Sequence, residues 1–204
     1  MKKALFLDRD GVINQLIKKK SKSHNKVIDD SPFELSELKF VGGIKELVNT
    51  AKKLDYKVII VTNQPSYLKE DRLLRDYEKI TTKICEYLSL ERSDVFECFH
   101  KEGFSLPCEC RKPKPGLILM AKGLHNINLE KSVLVGDSLN DIKAAKSAKI
   151  GMAIYLRRKE SENQIGNSED EKEMQKNGPL ADYIFDSLYQ VEQKIKKKEQ
   201  GNLK

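Results

Sequence analysis

The sequence predicts an α/β fold, a doubly wound parallel sheet flanked by helices, and two observations carry that prediction. Short apolar runs without polar alternation recur at Ala4–Leu7, Val58–Val61, Ser132–Val135 and Met152–Leu156, as strands covered on both faces require. Between them lie stretches with apolar residues at helical spacing, and strands alternating with helices predict a parallel sheet. A length of 204 residues suits one such domain around one core.

Each element has a local reason. Gly42 and Gly43 open a helix with Ile44, Leu47, Val48, Ala51 and Leu54 on one face. Val58–Val61 is the clearest strand, and Pro65 prevents its continuation. Asp71 to Leu88 reads as a helix with Leu74, Tyr77, Ile80, Ile84 and Leu88 aligned. Val95 to Phe99 is a strand leading into a cysteine-containing loop. A stiff Lys112–Gly116 segment introduces a helix over Leu117–Leu124. Asn140–Ser147 is helical, and Ala181–Phe185 is a last short strand before a basic helix. Lys18–Asn25 is polar and reads as a loop or flap, and Arg157–Gly178 as a long charged loop. Residues 1–190 are expected to form the domain and residues 191–204 a basic C-terminal tail.

Net charge is +7, with lysines clustered at Lys18, Lys19, Lys20 and Lys22 and at Lys194, Lys196, Lys197 and Lys198. Such runs read as solvated surface. They lack the aromatic interleaving of a nucleic-acid module, so no nucleic-acid partner is expected. No apolar run approaches the roughly 18–20 residues of a membrane span. The apolar run before Asp8 is too short for a signal-peptide core of about 7–15 residues. A cytoplasmic protein is expected, and in that reducing compartment the cysteines read as metal ligands or free thiols.

The chemistry gathers at strand ends. Asp8 and Asp10 follow the first strand, Thr62 and Asn63 the second, and Asp137 and Asp141 the later one. Ligands of an open α/β sheet bind at the carboxyl ends of its strands. Three or more carboxylates there suit a hard, oxygen-seeking cation such as Mg²⁺. Cys98, His100, Cys108 and Cys110 lie within thirteen residues, a Cys₃His set of the kind that closes a structural zinc site. The PCxxC half of the catalytic deaminase zinc pattern is absent, because a single residue separates Cys108 from Cys110. His24 and His125 are given no role.

The segments Phe6–Asn14, Val61–Gln64, Arg111–Pro113 and Val135–Asp141 resemble motifs I to IV of the haloacid dehalogenase superfamily, in its DxD phosphatase form. The CxH…CxC pattern before Arg111-Lys112-Pro113 is similar to its zinc-loop subgroup, which includes heptose-bisphosphate and histidinol phosphatases. The resemblance runs from Ala4 to about Leu188. It implies a Rossmann-like core with no large cap domain, a zinc-stabilised loop insertion and, from the small, compact members of the subgroup, a monomer. It also implies Mg²⁺-dependent removal of the 7-phosphate of D-glycero-D-manno-heptose 1,7-bisphosphate, for nucleotide-activated heptose. Asp8 would form an aspartyl-phosphate, and Asp10 would act as general acid and then base. Mg²⁺ would be held by the Asp8 side chain, the Asp10 backbone carbonyl and Asp137. Thr62 and Lys112 would bind phosphoryl oxygens, Asn63 and Arg111 would position a small sugar-phosphate substrate, and zinc would take Cys98, His100, Cys108 and Cys110.

The chain departs from the subgroup at Ser138, where a lysine is usual, in the long lysine-rich Gln15–Phe40 segment, and at Pro65–Leu68, where Tyr67 could flank the substrate. The alternatives are a histidinol-phosphate or other sugar-phosphate phosphatase, and a catalytically silent, zinc-stabilised binding protein.

Overall fold

The computed structural model describes residues 1–20, 27–65, 71–100, 108–157, 172–173 and 180–201. His24, Tyr67 and residues 158–171 of the charged segment lie outside them. Six strands form one parallel sheet: β1 (Lys3–Leu7), β4 (Tyr56–Asn63), β5 (Val95–Cys98), β6 (Val133–Gly136), β7 (Met152–Leu156) and β8 (Tyr183–Phe185), in the order β5-β4-β1-β6-β7-β8. The helices are α1 (Ile44–Lys53), α2 (Asp71–Leu88), α3 (Gly116–His125), α4 (Leu139–Ser147) and α5 (Leu188–Gly201).

Why the strands read as unbroken apolar runs is visible in β1. Leu5 and Leu7 face one core, which holds Leu47, Val48 and Ala51 of α1, Ile80 and Ile84 of α2, and Leu188, Val191 and Ile195 of α5. Ala4 and Phe6 face the other, with Leu117, Ile118 and Ala121 of α3 and Ile142, Ala144 and Ala145 of α4. Alternate residues therefore meet opposite layers, and from Ala4 to Leu7 no position is left for a polar side chain. Each fully buried Leu, Ile or Phe contributes roughly 1.5–3 kcal/mol through burial.

The basic segment from residue 191 is helical to Gly201, with Val191 and Ile195 fully buried. Lys3 and Tyr56 both donate to the Glu199 carboxylate, the tyrosine at 2.6 Å. Leu74, expected on the buried face of α2, is 37% exposed.

The Lys18–Asn25 expectation of a loop is corrected for its first residues. Lys18 to Lys20 belong to β2 (Ile17–Lys20), which pairs antiparallel with β3 (Val27–Asp30) in a separate two-stranded ribbon. The ribbon carries no alternation to reveal it, because it lies outside the main sheet. Lys19 instead covers the Phe33 ring at 3.6 Å.

β1 is the switch point of the sheet. β4 lies on one side and the next half of the fold, starting with β6, lies on the other. The crevice at the carboxyl ends of β4, β1 and β6 is where such sheets bind ligands.

Candidate active site and metal loop

Lys112 stands at the centre of that crevice, 4% exposed. Its Nζ donates to Asp8 Oδ1 at 2.7 Å, Asp141 Oδ1 at 2.5 Å and the Val61 carbonyl at 2.8 Å. An ammonium has three donors, and all three are used. Burial disfavours its charge, but Asp141 and Asp8 outweigh that cost and hold its pKa above the ordinary lysine value. The backbone of Lys112 is fixed by Asn63, whose Oδ1 accepts from Lys112 N and whose Nδ2 donates to Lys112 O, both at 3.0 Å. Asn63 thus behaves like a neighbouring strand residue and locks the β4 end to the Lys112 segment.

Asp8, Asp137 and Asp141 bring carboxylate oxygens within 4.8 Å of one another. Burial pushes the Asp8 carboxyl up to about 7; Lys112 opposes the shift and Asp141 adds to it. Gly11 lets the turn after β1 approach this cluster. Its φ is +93°, and a Cβ there would lie 1.9 Å from Asp137 Oδ2, so an L side chain is excluded both by space and by backbone. Asp141 serves α4 and the cluster together. Its Oδ2 accepts from Ser138 N at 3.1 Å and Ser138 Oγ at 2.5 Å, closing a capping box. Ser138 accordingly orients the carboxylate that holds Lys112.

Asp10 points into a different network. Its carboxylate accepts from Asn14 Nδ2 at 2.8 Å, Gln64 Nε2 at 2.5 Å, Ser31 Oγ at 2.9 Å and Arg9 Nε at 3.2 Å. Burial would raise its pKa, but the Arg9 guanidinium and the three neutral donors outweigh burial and hold it below the ordinary carboxylate range. Thr62, 1% exposed, accepts from Gln64 at 2.8 Å. Ser31 arrives directly after β3, so the lysine-rich ribbon delivers one of these donors.

The four site carboxylates, Asp8, Asp10, Asp137 and Asp141, are accompanied by the cations of Arg9 and Lys112. Four carboxylates against two cations leave an excess of two negative charges when all are ionised. One Mg²⁺ neutralises that excess, and it prefers a few carboxylates with water and phosphate. Asp141 already accepts hydrogen bonds at both oxygens, and Asp8 and Asp137 of the same cluster are residues that could hold the ion.

The second cluster lies at the end of β5. Cys98 Sγ is 3.8 Å from Cys108 Sγ and 3.2 Å from Cys110 Sγ, and His100 Nδ1 is 3.5 Å from Cys98 Sγ and 3.2 Å from Cys110 Sγ. Tetrahedral ligands around one Zn²⁺ sit roughly 3.3–3.8 Å apart, and the four separations lie within that range or just below it. Burial, reinforced by the Cys98 and Cys108 sulfurs, pushes the Cys110 thiol up to about 12. Three adjacent thiols do not share their sites as thiolates without a cation. Arg111 belongs to this loop: its Nη1 donates to the His100 carbonyl at 3.3 Å. Cys110→Ser is expected to weaken zinc binding by at least roughly a hundredfold and to lower the melting temperature. Metal analysis of the purified variant and a thermal scan measure both, and an unchanged scan after chelation would refute a structural metal.

The sequence thus placed Asp8, Lys112 and Asp137 in one cluster and the four zinc-type ligands in another, whereas Arg9, Ser31 and Gln64 were given no role there. His125 Nε2 donates to the Ser93 carbonyl at 3.1 Å, outside both clusters. A family model described as haloacid dehalogenase-like hydrolase matches residues 5–149. The chain belongs to the haloacid dehalogenase-like hydrolases.

A second HAD-hydrolase-like model matches residues 109–191. Among hydrolases of this family, a D-glycero-beta-D-manno-heptose-1,7-bisphosphate 7-phosphatase of Haemophilus influenzae is 30% identical, covering 97% of this chain and 98% of that one. A D-glycero-alpha-D-manno-heptose-1,7-bisphosphate 7-phosphatase of Campylobacter jejuni is 34% identical, covering 78% and 86%. The crystal structure of a D,D-heptose 1,7-bisphosphate phosphatase from B. bronchiseptica, complexed with magnesium and phosphate, has the same fold. Its TM-score is 0.67 at 20% identity, covering 96% of this chain and 99% of that one. Among the described residues, no helix is long and apolar enough to cross a membrane.

Proposed function

We propose that this hydrolase is a Mg²⁺-dependent phosphatase that removes the 7-phosphate of D-glycero-D-manno-heptose 1,7-bisphosphate. The observation that carries the reading is the pairing of Asp8 with Lys112 inside a carboxylate cluster at the sheet's switch point. The near full-length relative from Haemophilus influenzae supplies the substrate class.

A phosphate monoester dianion repels nucleophiles, so the site must neutralise charge and align the groups. Magnesium, when bound, supplies part of that neutralisation, with Asp8 and Asp137 as its side-chain ligands. Lys112 contributes the fixed protein cation and holds Asp8 in one orientation. Asp8 attacks phosphorus, the bond to the sugar oxygen breaks, and an aspartyl-phosphate forms. Asp10 gives its proton to the leaving oxygen; water then attacks phosphorus, Asp10 takes its proton, and the Asp8–phosphorus bond breaks to release phosphate and restore Asp8. The donors around Asp10 favour its ionised form, which suits the second role. In the first role, a proton placed on Asp10 is readily given up. Thr62 contacts the phosphoryl oxygens, Lys112 exchanges one of its three acceptors for a phosphoryl oxygen when substrate binds, Arg111 helps to position the sugar, and the Cys98, His100, Cys108 and Cys110 zinc site fixes the loop that carries Arg111 and Lys112.

The test is phosphate release, with Mg²⁺, from the α and β anomers of heptose 1,7-bisphosphate, histidinol phosphate and a 3′-phosphorylated oligonucleotide. We expect kcat/KM for one heptose anomer to exceed the other compounds by at least about tenfold, a discrimination worth roughly 1.4 kcal/mol. Preference for histidinol phosphate, or no turnover of any compound, would overturn the substrate assignment.

A further inference from the structure

Arg9 is 1% exposed and lies between Asp10 and an aromatic ring. Its Nε and Nη2 reach the Asp10 carboxylate at 3.2 and 3.1 Å, and its guanidinium carbon is 5.0 Å from the centroid of Tyr77. Tyr77, fully buried, comes from α2. The Tyr77 ring meets Phe99 edge to face, with centroids 5.1 Å apart and planes at 80°. Phe99 is the residue between Cys98 and His100 of the zinc-type cluster.

We propose that Tyr77 is a positioning residue for Asp10: its ring seats the Arg9 guanidinium, and Phe99 ties that seat to the Cys98–His100 loop. The inference rests on the reading of Asp10 as the acid and base of the reaction.

The physical argument is the shape of arginine. A guanidinium is a rigid plane that stacks on an aromatic face while its edge donates to a carboxylate. Tyr77 therefore sets the plane in which Arg9 donates, and that plane sets the orientation of the Asp10 carboxylate. Asn14, Ser31 and Gln64 hold Asp10 as neutral donors, whereas Arg9 is the cation of that set. Phe99 limits the tilt of Tyr77, and its own backbone is held by metal ligands on either side. A loop 89 to 91 positions away in sequence is thereby in contact, ring by ring, with the side chain beside Asp10.

Steady-state kinetics on Tyr77→Leu, Tyr77→Phe, Arg9→Lys and the double variant Arg9→Lys/Tyr77→Leu test this, with circular dichroism confirming the fold. Tyr77→Leu should lower kcat by about ten- to a hundredfold, the cost of a misplaced catalytic group, with KM changed by less than about twofold. Tyr77→Phe keeps the ring and should recover most of kcat. The double variant should be no worse than Arg9→Lys alone, because both changes remove one interaction. Should Tyr77→Leu fail to fold, Phe99→Leu takes its place in the same cycle with Arg9→Lys. Multiplicative losses, or a Tyr77→Phe variant as slow as Tyr77→Leu, would overturn the inference. Asp10→Asn separates the two levels. If it keeps wild-type turnover, the acid–base reading itself fails. If it is inactive while the losses multiply, only the Tyr77 proposal fails.

Discussion

Asp8→Asn will lower kcat by at least about 10³-fold while leaving the fold intact, as expected when a covalent nucleophile becomes an amide. Asparagine is nearly isosteric, so Lys112 keeps two of its three acceptors, Asp141 and the Val61 carbonyl. The substitution also removes one negative charge from a cluster that carries an excess of them. The melting temperature should therefore hold or rise slightly. The contrast between lost turnover and retained stability is the informative result. Phosphate-release kinetics and a thermal scan on one preparation measure it. A variant with turnover within tenfold of wild type would remove Asp8 from the mechanism.

Lys112→Met is expected to lose stability as well as turnover. The side chain is close in length, so packing is largely preserved. The change leaves the buried Asp8 and Asp141 facing one another without their shared cation. Removing one partner of a buried ion pair costs about 3–5 kcal/mol, and for a chain of this size that lowers the melting temperature by roughly 10 °C. Asp8 relieves part of the repulsion by taking up a proton, which disables it as a nucleophile. Urea denaturation should show the stability loss, and a second change, Asp141→Leu, should recover part of it without restoring turnover. A loss below about 1 kcal/mol would show that Lys112 is not the hub of the cluster.

The fold was legible because β1, β4, β6 and β7 are covered on both faces and their sequences show it without ambiguity. Their polar carboxyl ends, Asp8, Thr62 and Asp137, followed from the same pattern. The Cys98–Cys110 spacing exposed the second cluster because metal ligands must be close in space and here are close in sequence. Partners set by tertiary contact were not legible. Ser31 reaches Asp10 from the end of an antiparallel ribbon, and nothing in Ile17–Lys20 alternates to announce a strand. Asn63 reads as a ligand-binding residue from its place after β4, yet its amide grips the Lys112 backbone. Arg9 was hidden by its neighbours, since a basic residue between two aspartates reads as a charged turn. Ser138 stood out as a missing lysine, whereas its hydroxyl and N–H secure Asp141. Tyr77 was correctly read as buried from helical spacing, but burial alone does not reveal a cation on the ring face.

The placement of β1 has a consequence for how the chain is made. β1 is translated before both of its neighbours, yet it occupies the interior of the sheet, between β4 and β6. One edge of β1 is closed once Tyr56–Asn63 has emerged from the ribosome, but the other waits for Val133–Gly136. Until then the nascent chain displays an apolar strand edge, a template for unwanted pairing. Synthesis interrupted between residues 63 and 133 would leave an intermediate with Asp8 made, two or three of the six sheet strands present and no route to closure. Such fragments should depend on chaperones for solubility in a way that the finished chain does not.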